Sequence, residues 1–183
     1  IQKINLSKNK IGKIGLQCIC DLKLIDLMYL NVSFNNLKAE EMLSLSNAKF
    51  QSLEYINLTG NKISDNGIKN LLSGNLIFYG KLKVLILSHN KISNEGLNHF
   101  SVNNKFKNIQ SLDLSGNTLG HESLKIFANS NFGMLRELIL SENKIGDEGL
   151  INLSTGKLYS LKNLLIENCE ITDIGLHELC KGN

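Results

Sequence analysis

Four cysteines, four histidines and a single arginine carry the most reactive chemistry in this 183-residue sequence, and their spacing limits what they can do. Cys18-x-Cys20 supplies two thiols, but no second ligand pair lies nearby to complete a tetrahedral zinc set. With Cys169 and Cys180 at the far end of the chain, the cysteines read as neither a metal motif nor a disulfide framework. His89, His99, His121 and His177 are scattered, and no phosphate loop or nucleophile–base pair accompanies them. Arg136 is the one residue that could serve as an arginine finger. The reading is of a chain that is not an enzyme, holds no metal or other cofactor and has no small-molecule substrate.

Composition narrows the classes further. Hydrophobic residues make up 42% and charged residues 20%, which suits a folded domain with a core. No apolar run approaches the roughly 18 residues of a spanning helix, so no membrane role is expected. A net charge of +3 is too mild to imply nucleic acid, but it is unevenly spread. Residues 1–91 hold 12 Lys against 6 acidic side chains, whereas residues 92–183 hold 8 basic against 11 acidic. A bipolar surface of this kind suits a selective partner rather than any polyanion. Pro is absent, and Asn (25) and Leu (33) are in excess.

Both excesses are periodic. The segments LMYLNVSFNNL (27–37), LEYINLTGNKI (53–63), LKVLILSHNKI (82–92), IQSLDLSGNTL (109–119) and LRELILSENKI (135–145) share the pattern L-x-x-L-x-L-x-x-N-x-L. IQKINLSKNKI (1–11) opens the chain in the same pattern, and LKNLLIENCEI (161–171) closes it with Cys169 in place of Asn. The marker residues Asn9, Asn35, Asn61, Asn90, Asn117, Asn143 and Cys169 recur every 26–29 residues. Six residues after each marker comes a small residue, with Glu41 the exception, and then apolar residues at a spacing of three, the sign of a helical face. Asp65, Asn94, Asp147 and Asp173 precede these faces and can cap free amides.

Seven such segments resemble a leucine-rich repeat protein over essentially the whole chain. The form N-x-I-x-x-x-G-L-x-x-L resembles the ribonuclease-inhibitor-like subfamily, and CEITDIGLHEL is also similar to the cysteine-containing repeats of F-box-type proteins. The resemblance implies an α/β fold: a right-handed solenoid, or horseshoe, of about seven repeats, with parallel strands on the concave face and helices on the convex face. Motif positions 4 and 6 should point inward and 3, 5 and 7 outward. The marker asparagines should be buried where the strand turns away, forming a ladder of amide hydrogen bonds. The expected organisation is one repeat domain over 1–183, read as part of a longer chain, with β-strand edges left open at its ends.

Subtracting the template leaves the candidate binding residues. Phe50, Tyr79, Phe106, Phe132, Phe100 and Phe127 are core by register, while Tyr29, Phe34, Tyr55, Phe78 and Tyr159 are not. Tyr29 and Tyr55 share position 3 one strand apart, and Phe34 stands at position 8; they either pack laterally on one another or form a ligand patch. Ile86 and Asp113 with Ile139 at position 5, Glu137 at position 3, and His89 and Glu142 at position 8 extend the concave surface. His89, between Gly60 and Gly116 in its column, is expected to have room on both sides, as a contact residue or as an ordinary surface histidine.

The functional reading is a protein–protein interaction module that binds a protein partner on its concave face. The alternatives implied by the resemblance are a Ran-type GTPase-activating regulator and the substrate-recognition part of a ubiquitin ligase. Three sequons, Asn5-Leu-Ser, Asn31-Val-Ser and Asn57-Leu-Thr, would set sugars across the concave face, and the cysteines look free. Both points favour an intracellular, cytoplasmic location. The Asn-, Lys- and Ile-rich composition also resembles leucine-rich effectors that intracellular bacteria deliver to the host cytosol.

Overall fold

In a computed structural model, residues 1–74, 80–101, 104–130, 132–154 and 160–181 are described. Tyr79, Phe78, Leu158 and Tyr159 lie outside them. Strand and helix alternate seven times: β1 Lys3–Asn5, α1 Lys13–Asp21, β2 Tyr29–Asn31, α2 Glu41–Ser46, β3 Tyr55–Asn57, α3 Ser64–Ser73, β4 Val84–Ile86, α4 Asn94–Ser101, β5 Ser111–Asp113, α5 Glu122–Asn129, β6 Glu137–Ile139, α6 Gly146–Ser154, β7 Asn163–Leu165 and α7 Asp173–Lys181. The strands form one parallel sheet in chain order. Pairing holds equivalent motif positions side by side, as in Tyr29 with Tyr55 and Ile86 with Asp113. The N–H at position 6 of a repeat donates to the position 5 carbonyl of the next, for example Leu58 to Ile86 at 2.8 Å. Strands stack at about 4.8 Å and helices are about 10 Å wide, so the strand side is the concave one.

The core runs the length of the solenoid between sheet and helices. Leu30, Val32, Ile56, Leu58, Leu85, Leu87, Leu112, Leu114, Leu138 and Leu140 at positions 4 and 6 are buried, as are Leu16, Met42, Ile68, Leu97, Leu124 and Leu150 on the helices. In the last repeat, which packs on one side only, Leu176 is exposed. Phe50, Phe100, Phe106, Phe127 and Phe132 are all buried. The ladder forms: Asn90 is fully buried, and its Nδ2 donates to the carbonyls of Leu58, Leu87 and Ser88 at 2.9–3.1 Å. Asn9 departs from expectation. It is exposed and donates only within its own repeat, because ladder bonds are made to the preceding repeat. Cys169 donates its thiol to Leu140 O at 3.2 Å, taking over part of the amide's role.

The glycine six residues after a marker sits where successive repeats approach closely in repeats three, four, six and seven. A Cβ on Gly96 would lie 2.3 Å from Asp65 Oδ1, and one on Gly175 2.9 Å from Asp147 Cα. Asp65 and Asp147 cap amides as expected, but those of the following repeat. Asp65 Oδ1 accepts from Ser93 N and Oδ2 from Ser93 Oγ, both at 2.8 Å, and Asp147 binds Thr172 in the same way at 2.7 Å. Each carboxylate thereby fixes the N-terminus of the next helix. Where Glu41 replaces the small residue, α2 shortens to six residues and the Glu41 carboxylate accepts from Lys38 N at 2.7 Å.

Candidate functional site

The concave columns are built by the sheet register. At position 3, Tyr29 and Tyr55 stack with ring centroids 4.3 Å apart and planes 9° from parallel. Lys3 Nζ sits 4.4 Å from the centroid of the Tyr29 ring, so ammonium, ring and ring form one column. Lateral packing is therefore real, and both tyrosines stay half-buried rather than covered. Burial, followed by the Tyr29 hydroxyl beside it, raises the Tyr55 pKa. Further along the column, Ser111 Oγ donates to Glu137 Oε2 at 2.6 Å, and Asn163 Nδ2 approaches Oε1 at 3.5 Å.

Position 5 is less free than its variability implies. The Oδ1 atoms of Asn5, Asn31, Asn57 and Asp113 accept from the position 7 N–H two residues on, at 2.9–3.1 Å. Asp113 also accepts from Ser115 Oγ at 2.7 Å. These residues are Asx turns that end the strand. The triplets that read as sequons are the same Asn-x-Ser/Thr spacing, and Asn31 is only 9% exposed. Ile86 and Ile139 flank Asp113 in register and are half-buried.

Position 8 is governed by backbone. Lys8, Phe34, Gly60, His89, Gly116, Glu142 and Asn168 all have φ between +52° and +64°, the left-handed region. This holds the position 8 side chains out at the strand-to-helix turn. Phe34 is 48% exposed, and its ring lies against Gly60, where a Cβ would come within 2.4 Å of it. His89 does the same over Gly116, at 2.2 Å. The expectation of room on both sides is corrected: Gly116 seats the His89 ring, but Gly60 seats Phe34. The structure thus joins Tyr29 with Tyr55, and Phe34 with Gly60, and spreads Ile86, His89, Asp113, Glu137, Ile139 and Glu142 over the neighbouring strands and turns.

Lys3 was missed by sequence reasoning, although its place at position 3 beside Tyr29 was signal enough. All four cysteines are free, and burial, helped by Asp21, pushes the Cys20 thiol up to about 12. Among the described residues no three His, Cys, Asp or Glu side chains group as metal ligands, and no helix is long and apolar enough to cross a membrane.

Two family models match the chain. "Leucine Rich repeat" matches residues 1–20, 51–72, 81–98 and 134–154, and "Leucine Rich Repeat" matches 108–130. Among solved structures, internalin C2 from Listeria monocytogenes str. 4b F2365 aligns with a TM-score of 0.58 at 23% identity, over 98% of this chain and 77% of that one. The tropomodulin C-terminal domain of Caenorhabditis elegans aligns more loosely, with a TM-score of 0.47 at 15% identity over 93% and 90%. No curated protein matches. The seven strand–helix repeats, the asparagine ladder and matches over more than half the sequence agree: this chain is a leucine-rich repeat protein.

Proposed function

We propose that the chain is a protein-interaction module of the ribonuclease-inhibitor-like kind, acting by binding rather than catalysis, and that its partner seats on the concave face of the first repeats. The observation that carries this is the Lys3–Tyr29–Tyr55 column, with Phe34 exposed at position 8 of the same repeat as Tyr29. Stacked and seated rings offer rigid apolar area at little entropic cost, which is what interface anchors supply. Ile86, His89, Asp113, Glu137, Ile139 and Glu142 complete the surface, the acids marking its far half. Helices of eight to ten residues in six of the seven repeats support the subfamily reading. Free cysteines and a buried Asn31 support an intracellular location, whether in the cell that makes the protein or in a host. The repeat domain is taken as residues 1–183. Arg136 is exposed at position 2, and among the described residues no carboxylate or hydroxyl holds it in place.

The test is a purified partner, first isolated from cytosol and then titrated. Tyr29→Ala with Tyr55→Ala should lower its affinity by about tenfold or more. Charges at the exposed helix positions Lys69 and Asn98 should leave it unchanged. The reverse pattern, at unchanged melting temperature, would place binding on the convex side.

A further inference from the structure

The turns that leave the strands form a second surface. In repeats one to four the residues from motif position 8 to 12 contain Lys8, Lys10, Lys38, Lys62 and Lys91 and no acid. In repeats five to seven the same positions contain Lys144 against Glu142 and Glu170. All five lysines of the first group are exposed, and none is in an ion pair among the described residues. On the helix side Glu41 accepts from Lys38 N and Asp65 from Ser93, while Glu40 and Glu95 are exposed. Adjacent turns are bonded together, Lys62 N to Leu37 O at 2.6 Å and Ser64 N to Asn90 O at 2.9 Å, so the lysines ride on a fixed rim. Two planar rings lie on the same rim, pressed against glycines, and Lys8, Lys10, Phe34 and Asn36 border one shallow depression.

We propose that this rim binds an extended acidic segment of a protein partner, laid across the repeats with carboxylates on the lysines and an apolar side chain on Phe34. Three repeat steps of about 4.8 Å span roughly 14 Å, the length of about four extended residues. The charges are single-signed and unpaired, so they steer an acidic segment in, and the ring beside them gives it register. The inference rests on the chain being a protein binder, but it uses the turn lysines and shares only Phe34 with the face proposed above, so variants at the lysines and at the tyrosines fail separately.

The probe is a fluorescein-labelled peptide of about ten residues, Asp- and Glu-rich with two central leucines, titrated by anisotropy at rising salt. Lys8→Glu with Lys91→Glu should weaken it by about tenfold, and Glu142→Lys with Glu170→Lys should strengthen it. These swaps respect the backbone. Glu142 occupies the Lys8 slot at φ +59° and Glu170 the Lys91 slot at φ +58°, so the fold already accepts either charge there. Lys69→Glu with Lys125→Glu, an equal charge change on the helices, should leave binding within about twofold. Equal weakening by the helix pair would overturn the proposal in favour of bulk charge. So would single-stranded DNA or phosphatidylserine vesicles binding as tightly as the peptide and failing in the same rim variants. Loss of the peptide with Tyr29→Ala and Tyr55→Ala, but not with the rim variants, would overturn the rim and leave the strand face standing.

Discussion

Replacing two ladder asparagines by alanine should have unequal costs, because they hold different numbers of buried amides. Asn61 Oδ1 accepts from Asn35 N and Leu37 N, both at 3.0 Å. Asn90 Oδ1 accepts from Ile63 N alone, at a long 3.4 Å. The donor side is alike in the two. Each Nδ2 serves three carbonyls, and each carbonyl keeps a second donor when the side chain is lost. After Asn61→Ala, Val32 O retains Asn35 Nδ2, Leu58 O retains Asn90 Nδ2, and Thr59 O retains Phe34 N. After Asn90→Ala, Leu58 O retains Asn61 Nδ2, Leu87 O retains Asn117 Nδ2, and Ser88 O retains Gly60 N. The difference therefore lies in orphaned N–H groups, each costing about 1–3 kcal/mol when buried. Asn61→Ala should cost about 2–6 kcal/mol and Asn90→Ala about 1–3 kcal/mol. For a domain of this size 1 kcal/mol moves the melting temperature by roughly 2–4 °C, so the two midpoints should separate by several degrees. Urea unfolding followed by far-UV circular dichroism measures both, and an unchanged slope certifies the comparison. Equal costs, or a larger cost at Asn90, would refute the amide count as the origin of ladder stability.

Leu85→Ala, in the middle of the core, should cost about 2–5 kcal/mol, whereas the exposed Lys91→Ala should fall within about 0.5 kcal/mol of zero in the same assay. Ser123 takes a slot that is glycine in five repeats, and its fully buried Oγ has no hydrogen-bond partner, so Ser123→Ala should stabilise by about 1 kcal/mol. The Thr172 hydroxyl and amide hold the Asp147 carboxyl below the ordinary carboxylate range. A lowered folded value means that its contribution is present above the unfolded value of about 4 and is lost as pH falls below that, through the folded value. Stability measured against pH should therefore decline more steeply for the native chain than for Asp147→Asn, the two curves converging at the acid end. Parallel curves would count against the clamp.

The repeat, and with it the fold, was legible in the pattern of residues alone. A seven-fold pattern of apolar residues at fixed offsets has one economical solution, in which each repeat buries its apolar face against its neighbours. Positions 4 and 6, the buried phenylalanines and the parallel register were legible because side-chain alternation along a strand is a local rule. Stacking of the repeats set everything that depends on which neighbour a polar group meets. Asp65 and Asp147 look like caps for their own helices, yet they clamp Ser93 and Thr172 in the repeats that follow, because stacking sets the next helix start against them. Asn31, Asn57 and Asp113 look like a variable binding column, yet each turns back onto an N–H of its own strand end. Position 8 varies in side chain while its backbone does not, since the left-handed turn comes from the path of the chain and glycine only eases it. The seats of Phe34 on Gly60 and His89 on Gly116 followed only once that turn had fixed where each ring could lie.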